Sequence, residues 1–223
     1  MCASYWGKSA GAQTRQEQVE LQTWREQERK SPYDLFMAPL ERLFLYPRRK
    51  QWLPLVHGDV LEVGVGTGAN LPFYVVGCCR LVAVDVSQEM LRQVAGRAQA
   101  HGLRLAQADV QHLAFPENSF DWVVASLLFC GVTDPLLGLR EVRRVLRPGG
   151  RLLLIEHVRS TWPLMGYVLD VANVFWNNVT HYCHLNRQTL DMVRETGFVL
   201  RRVEEHALGV VQVILAEKVM GEV

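Results

Sequence analysis

The sequence predicts an α/β domain with a seven-stranded, mostly parallel sheet and helices on both faces. Short apolar runs alternate with segments in which apolar residues recur at helical spacing, a pattern typical of βαβ units. Near the C-terminus, two apolar runs are separated by a connection too short for a crossover helix. These two runs are therefore predicted to pair antiparallel.

The first five strands are expected to be parallel. The apolar runs that predict them are Val60–Val63, Leu81–Asp85, Leu103–Ala108, Trp122–Ser126 and Leu152–Glu156. The clearest helices span Ser87–Ala100, with Ser87 as a candidate N-cap, and Thr133–Leu146, which ends at a Pro-Gly-Gly breaker. The remaining elements are a helix over about Asn186–Thr196 and the antiparallel strands Phe198–Glu205 and Val210–Glu217.

Composition is that of one globular domain, since the chain has 223 residues, of which 49% are hydrophobic and 21% charged. Its five cysteines form no C-x-x-C pair and are odd in number, which favours a reduced, cytoplasmic setting without structural zinc. The formal net charge of +1 gives no general reason to expect nucleic acid as a partner.

Membrane contact is expected to be peripheral at most. No apolar run reaches the roughly 20 residues needed to cross a bilayer. A basic cluster is formed by Arg42, Arg48, Arg49 and Lys50. This cluster is interpreted as a solvated helix end, with contact to anionic lipid headgroups as the alternative.

The domain is expected to cover residues 31–223, with an acceptor-side insertion at about 158–185. Residues 1–30 are rich in Gln, Glu and Arg, which predicts a polar tail or helix that could serve as a lid. From Tyr33 to Lys50, apolar residues recur at helical spacing, with Pro39 and Pro47 as expected interruptions.

A glycine-rich turn follows the first strand, in the segment Leu61–Asn70. Glycines at Gly64, Gly66 and Gly68 allow positive φ and let a nucleoside lie against the backbone of a turn that is expected to open a helix. Gly64, Gly66 and Ala69 also satisfy the dinucleotide pattern G-x-G-x-x-A, with Asp85 placed to bind ribose. A nicotinamide-dependent oxidoreductase therefore remains an alternative interpretation of this segment.

Two further segments carry a more specific resemblance. One runs through Ala108-Asp109-Val110 to Phe120-Asp121-Trp122-Val123, and the other is Leu146-Arg147-Pro148-Gly149-Gly150. With the glycine-rich turn, they resemble the class I methyltransferases of the type 11 or ubiquinone-and-menaquinone methylase kind. The resemblance extends from about Tyr33 to the C-terminus. It implies a Rossmann-like fold with S-adenosylmethionine as cofactor and S-adenosylhomocysteine as product.

The resemblance also implies roles for individual residues. The glycine-rich turn would cradle the methionine part of the cofactor, Glu62 would hold its amino group and Asp85 its ribose. Asp109 would bond the adenine amino group, with Val110 and Met90 near the ring. The full cofactor-binding set is Tyr33, Glu62, Gly64, Gly66, Thr67, Gly68, Asp85, Val86, Met90, Asp109, Val110, Ser126 and Leu127.

Several of these residues also have structural interpretations. Tyr33 would close over the cofactor, where an aromatic face suits a sulfonium cation, or it would staple the first helix to the core. Met90 would contact the adenine ring or belong to the core. Asp109 would otherwise cap a turn, and Asp85 would otherwise be a surface acid at a strand end.

The methyl acceptor is less defined. Methyl transfer is an in-line displacement, so the protein chiefly positions the nucleophile. His157, at the end of the fifth strand, is the first candidate for a base or an orienting group, with simple hydrogen bonding as the alternative. His181, Cys183 and His184 form a second polar group, and their spacing is a weak metal pattern, so no metal is expected.

The resemblance is to more specific groups of methyltransferases in three segments, Ser126–Val132, Glu156–Val158 and Cys183–Arg187. There the chain is similar to membrane-associated thiol methyltransferases and to bacterial phosphatidylethanolamine N-methyltransferases. No long apolar segment precedes the domain in this sequence, so membrane anchoring is not carried over from the thiol branch.

An apolar, aromatic stripe follows the fifth strand. Its members are Trp162, Leu164, Met165, Tyr167, Val168, Leu169, Val171, Val174, Phe175 and Trp176. The stripe is interpreted as core packing or as a roof over a lipophilic acceptor. A small or amphiphilic acceptor is therefore expected, with a thiol or phospholipid amine preferred over a quinone carbon. A non-catalytic module that binds S-adenosylmethionine is the remaining rival.

Overall fold

The computed structural model describes residues 41–75, 79–100, 102–180 and 183–219. Seven strands form one sheet in the order β3-β2-β1-β4-β5-β7-β6. The strands are β1 Gly58–Val63, β2 Cys79–Asp85, β3 Arg104–Gln107, β4 Phe120–Ser126, β5 Leu146–His157, β6 Val199–His206 and β7 Val211–Glu217. The expectation of a Rossmann-like seven-stranded sheet is confirmed.

Strand directions also agree with the prediction. β1 to β5 pair parallel with one another, whereas β7 pairs antiparallel with both β5 and β6. Since parallel strands share one carboxyl edge, the residues that follow β1, β2 and β4 meet there with the end of β5.

Five α-helices are described. They are α1 Tyr46–Trp52, α2 Gln88–Ala100, α3 Pro135–Val145, α4 Pro163–Thr180 and α5 Thr189–Glu195. Ser87 acts as the expected N-cap of α2, because its Oγ accepts the N–H of Met90 at 3.3 Å. Asp134 caps α3 in the same way through the N–H of Leu137 at 2.9 Å, so this helix begins two residues later than predicted.

Alternation along the strands divides the core between the two faces of the sheet. On one face, Val60 and Trp122 pack with Val94 of α2 and Trp52 of α1. The opposite face includes the following groups: Leu61, Val63, Val123 and Ala125 from β1 and β4; Leu139 and Val142 from α3; and Val193 from α5. Both faces are therefore covered by helices, as the apolar runs predict.

The sequence suggests that Pro47 interrupts the helix before β1, but it does not. It occupies the first turn of α1, where no intrahelical N–H is required and the fixed φ of proline suits a helix. A π-helical turn, Glu41–Leu45, comes directly before it. Leu45 and Trp52 from these two turns are buried in the core.

The glycine-rich turn does not open an α-helix, so that prediction was wrong. A single 3₁₀ turn, Leu71–Phe73, follows it. Leu71 and Phe73 are both buried, at 1% and 7% exposure. Both side chains pack in the core on the same side of the sheet as Trp52.

The aromatic segment after β5 forms the 18-residue helix α4. Much of its apolar stripe faces solvent, which contradicts core packing for those positions. The exposed members are Trp162, Leu164, Tyr167, Val168, Val171 and Val174, whereas Leu169 is buried. Among the described residues, no helix combines the length and the apolarity needed to cross a membrane.

Candidate active site

The glycine-rich turn is fixed to the neighbouring strand by backbone hydrogen bonds. The N–H groups of Gly64 and Val65 both donate to the carbonyl of Val84, at 2.8 and 3.0 Å. Gly64, Gly66 and Gly68 have φ values of +73°, +50° and +82°, the left-handed region that favours glycine. The turn therefore leaves β1 in a conformation that the sequence predicts from its glycines.

Of these three glycines, only Gly66 faces open space. A Cβ built on Gly64 would lie 2.8 Å from the side chain of Leu128, and one on Gly68 would lie 2.6 Å from Val94. A Cβ on Gly66 would meet nothing within 4 Å. Gly64 and Gly68 are thus required by packing, whereas Gly66 presents bare backbone to a ligand.

Asp85 closes the base of this open space. Its Oδ2 accepts the backbone N–H of Gly66 at 2.9 Å, and its Oδ1 accepts the N–H of Ser87 at 2.8 Å. The carboxylate therefore fixes the turn after β1 and the start of α2 together. Val86, the next residue, is 66% exposed, which leaves its side chain free to contact a ligand.

Glu62 lies beneath the turn and is 1% exposed. Its Oε1 accepts the side-chain amide of Asn70 at 3.0 Å, and the same amide lies 3.1 Å from Oγ of Ser126. Burial raises the pKa of Glu62 to about 7, while hydrogen bonds from Tyr74 and Asn70 act in the opposite direction. A cationic ligand group would offset this cost of burial.

Asp109 follows β3 at the same edge of the sheet. Its carboxylate accepts the backbone N–H of Gln111 at 2.9 Å and the side-chain amide of the same residue at 3.0 and 3.1 Å. It therefore has the turn-capping role that was its structural interpretation. Val110 is 6% exposed and its side chain packs in the core, so a ligand would contact its backbone rather than its side chain. Met90 is half-buried.

The loop after β4 is held by a buried acid. Glu156 is fully buried, and its Oε1 accepts the N–H groups of Leu128 and Phe129 at 2.9 and 3.0 Å. Leu127 has a positive φ of 53° and donates its N–H to the carbonyl of Ile155 at 2.9 Å. The loop beside Gly64 is thus fixed to the end of β5.

His157 ends β5 and contacts a cysteine from a distant segment. Its Nε2 lies 2.8 Å from Sγ of Cys183, and the ring is 4% exposed. Cys130, which is 3% exposed, completes a group in which one donor atom from each residue lies within 4.8 Å of the others. We call these three residues the Cys-His-Cys cluster.

The cluster has unusual acidities. A hydrogen bond from Cys130, with others from His157 and Trp176, lowers the pKa of the Cys183 thiol to about 4. Burial lowers the pKa of His157, but the neighbouring Cys183 and Glu156 outweigh this effect and raise it overall. The contacts within the cluster therefore favour the thiolate form of Cys183 over that of Cys130.

Sequence reasoning located part of this arrangement. Glu62, Ser126, His157 and Asp85 lie at one sheet edge as expected, and Thr67 lies within the glycine-rich turn. Tyr33 and His181 lie outside the described residues. Asn70, Glu156 and Cys130 were missed as site residues. Only the crossing from β4 to β5 brings Cys130 close to Cys183, 53 positions later, and no local spacing signals that approach.

Comparison with known families decides between the two nucleotide-binding interpretations. Residues 61–154 match the family model described as methyltransferase domain. This segment of the chain is similar to methyltransferase domains, and the match favours methyl transfer over hydride transfer. The matched segment of the domain runs from the glycine-rich turn into β5, so it contains Gly66, Asp85 and Asp109.

Relatives of the methyltransferase domain act on chemically different acceptors. The chain is 39% identical over 112 residues to a phosphatidylethanolamine N-methyltransferase of Cereibacter sphaeroides, covering 48% of this chain and 55% of that protein. It is 36% identical over 138 residues to a thiol S-methyltransferase of Homo sapiens, covering 58% and 55%. A ubiquinone/menaquinone biosynthesis C-methyltransferase of Hahella chejuensis is 37% identical over 120 residues, covering 51% and 48%.

The chain thus spans about half the length of the curated relatives it matches. A solved S-adenosylmethionine-dependent methyltransferase from Methanosarcina mazei supports the fold, with a TM-score of 0.59 at 20% identity over 73% of this chain and 93% of that one. That solved protein is dependent on S-adenosylmethionine. The bare backbone at Gly66 and the carboxylates of Glu62 and Asp85 fit such a ligand.

Proposed function

We propose that this chain transfers the methyl group of S-adenosylmethionine to a small or amphiphilic hydrophobic acceptor. A thiol or a phospholipid amine is the preferred nucleophile, and a quinone carbon is the alternative. The cofactor would lie on the turn at Gly66, with its ribose at Asp85 and its amino group toward Glu62. S-adenosylhomocysteine would be the product.

One observation carries this proposal: a short series of contacts joins the glycine-rich turn to the Cys-His-Cys cluster. Gly64 lies against the side chain of Leu128, whose N–H donates to Glu156 at 2.9 Å. Glu156 directly precedes His157 in β5. The cluster proposed to handle the nucleophile therefore lies at the same edge of the sheet as the turn proposed to hold the methyl donor, an arrangement suited to in-line transfer.

The surroundings favour a hydrophobic acceptor. α4 begins six residues after His157 and presents exposed apolar side chains over most of its length. An exposed apolar patch of this kind is typical of a surface that binds a lipid-like ligand or touches a membrane. We therefore propose residues 158–185 as an acceptor-side insertion and peripheral contact with a lipid surface as its setting.

The three relatives named above methylate an amine, a thiol and a carbon, respectively, so the choice among these acceptors rests on the chemistry of the site. A thiol or amine needs only to lose a proton before attack, whereas a carbon acceptor requires an activated ring. A buried polar cluster suits the first two acceptors better. His157 is proposed to contact and orient the nucleophile.

An acceptor screen tests the proposed function. The full chain is incubated with methyl-labelled S-adenosylmethionine and, in separate reactions, alkyl and aryl thiols, phosphatidylethanolamine vesicles and a short-chain quinol. We expect label in a thioether or a methylated amine, with equimolar S-adenosylhomocysteine. Cofactor binding without transfer to any acceptor would instead indicate a non-catalytic binding module and would overturn the proposal.

His157→Gln tests the acceptor side separately from the cofactor side. We expect kcat to fall at least about tenfold, while the Kd for S-adenosylmethionine changes by less than twofold. His57→Gln is the matched control, because His57 is exposed and lies before β1, away from the carboxyl edge. An unchanged kcat in His157→Gln would remove this residue from the reaction.

A further inference from the structure

The Cys-His-Cys cluster brings three soft ligand groups together from three separate segments. Cys130 follows β4, His157 ends β5, and Cys183 lies between α4 and α5. One donor atom from each residue lies within 4.8 Å of the other two. We propose that these residues bind a divalent cation of the zinc type and leave one coordination position open.

The donor set decides the class of metal. Two sulfurs and one imidazole nitrogen suit Zn²⁺, whereas Mg²⁺ and Ca²⁺ prefer oxygen ligands. Structural zinc sites are closed by four protein ligands, but catalytic zinc sites use three and keep a position for water or substrate. Among the described residues the cluster supplies three, which is the number found in open sites.

Charge at the cluster also favours a cation. Glu156 is fully buried next to His157, and its carboxyl group lies close enough to Cys130 for the two groups to interact. Arg187 is a cationic neighbour, but its Nη1 already donates to the carbonyl of Phe129 at 3.0 Å. A divalent ion bound to these sulfurs would offset the cost of burying a thiolate.

The backbone around the ligands is preorganised. His184 donates its N–H to the carbonyl of Cys130 at 2.9 Å, which ties the two cysteine segments directly. Leu185 donates its N–H to Oδ1 of Asn173 in α4 at 2.8 Å. Since these bonds exist in the described fold, metal binding would need only small side-chain adjustments.

Access comes from the Cys183 side. Cys130 and His157 are buried, whereas Cys183 is partly exposed. An incoming ligand would therefore approach the open position past this residue. Since Nδ1 of His157 is buried without a hydrogen-bond partner in the described structure, the usual support for a metal-bound imidazole is absent. We expect affinity about 10- to 100-fold below that of a fully supported site.

If the proposed function holds for thiols, the open position has a specific use. The acceptor thiol would bind the metal and release its proton to solvent. Its sulfur would then attack the methyl carbon of S-adenosylmethionine as the bond from that carbon to the sulfonium sulfur breaks. The products are a thioether and S-adenosylhomocysteine, and no electron acceptor is needed.

Direct metal binding tests this proposal without any acceptor. The full chain is stripped with a chelator under reducing conditions and then titrated with Zn²⁺ against a chromophoric chelator and, separately, with Co²⁺. We expect one equivalent of each ion. Bound Co²⁺ should show thiolate-to-cobalt charge transfer and the intense visible bands of tetrahedral coordination.

Variants assign the binding to these residues. Cys130→Ser, Cys183→Ser and His157→Gln should each weaken Zn²⁺ binding at least about tenfold, and the cysteine variants should weaken the charge-transfer band. His184→Gln is the matched control, because it removes an adjacent imidazole outside the cluster. Cys130 is buried, so Cys130→Ser carries the greater risk to folding, whereas Cys183 is partly exposed. If Cys183→Ser loses the metal but still binds S-adenosylmethionine, its loss of metal is not a loss of fold.

The outcomes separate this inference from the proposed function. Absence of stoichiometric binding, or a cobalt spectrum that survives Cys183→Ser, would overturn the metal site. Thiol methylation by metal-free protein would also overturn the catalytic use of the metal while leaving the proposed function intact. Stoichiometric, cluster-dependent binding without methyl transfer would support the metal site and count against the proposed function.

Discussion

Gly66 donates its backbone N–H to Oδ2 of Asp85 across 2.9 Å, although the two residues follow different strands. The bond closes the glycine-rich turn over the end of β2. Gly66 combines this bond with a positive φ and with an open Cβ position. The turn is therefore built before any ligand arrives, which lowers the entropy lost on binding.

Gly66→Ala should separate cofactor binding from stability. Gly66 and Gly102 both have positive φ, at +50° and +66°, and a Cβ on either meets nothing within 4 Å. Each alanine variant should therefore lose about 1 kcal/mol of unfolding free energy from backbone strain. Only Gly66→Ala should also weaken S-adenosylmethionine binding, by at least about tenfold, in calorimetric titration. Equal affinities in the two variants would show that Gly66 does not face the cofactor.

Glu62 should make the stability of the ligand-free protein depend on pH. Its pKa is about 7 in the folded state, against an ordinary value of 4.5. At any pH between these two values, folding is therefore accompanied by uptake of a proton. The stabilising contribution is present below about pH 4.5 and is lost as pH rises through 7. Glu62→Gln removes the contribution of this residue, so the difference in unfolding free energy between wild type and variant should change by about 2.5 kcal/mol in urea unfolding from pH 5 to 8. Burial also raises the pKa of Glu156 to about 7, but that contribution is common to both proteins.

The same substitution should weaken S-adenosylmethionine binding about tenfold at pH 8, because the carboxylate that would face the ammonium group is gone. Glu89→Gln is the control, since Glu89 is an exposed acid at the start of α2. A difference in unfolding free energy between wild type and Glu62→Gln that stays constant from pH 5 to 8 would contradict this account.

Asp59 stabilises the opposite edge of the sheet, away from the site. It accepts hydrogen bonds from Arg80 at 2.6 and 2.7 Å and from Arg147 at 2.9 Å, and these bonds lower its pKa to about 2. The contribution is present above about pH 4 and is lost as pH falls through 2. Because Arg80 is largely exposed, Asp59→Asn should cost only about 1 kcal/mol at pH 7.

Chemical denaturation at pH 7 and pH 3 measures this effect. The difference between wild type and Asp59→Asn should shrink at the lower pH, while cofactor affinity stays unchanged at pH 7. Asp191→Asn, which breaks the exposed pair with Arg194, should cost less than about 0.5 kcal/mol at either pH. A larger loss in Asp191→Asn than in Asp59→Asn would contradict this account.

The sequence predicts the centre of the sheet well because β1, β4, β5 and β7 are largely buried and read as apolar runs. It fails at Leu71–Phe73, where a single 3₁₀ turn with both of these residues buried replaces the expected helix after the glycine-rich turn. The sequence also cannot tell whether the apolar stripe of α4 is buried in the core or exposed, since the stripe has the same periodicity in both cases.

The residues proposed to bind the cofactor could be selected from local sequence, because they lie at successive strand ends. The acceptor side could not. The sequence predicts no metal site, since His181, Cys183 and His184 lack a second cluster nearby in the chain. Cys130 and His157 reach Cys183 only through the parallel order of β4 and β5 and the return of the chain after α4.

Calorimetric titration with S-adenosylmethionine, S-adenosylhomocysteine and NAD, on wild type and on Asp85→Ala, tests the central claim most directly. Glu89→Ala provides the matched loss of an acidic residue in an exposed position. We predict that the first two ligands bind wild type and Glu89→Ala equally, and bind Asp85→Ala about 10- to 100-fold more weakly. Preferential binding of NAD, or affinity for S-adenosylmethionine that does not depend on Asp85, would contradict the assignment of this site to methyl transfer.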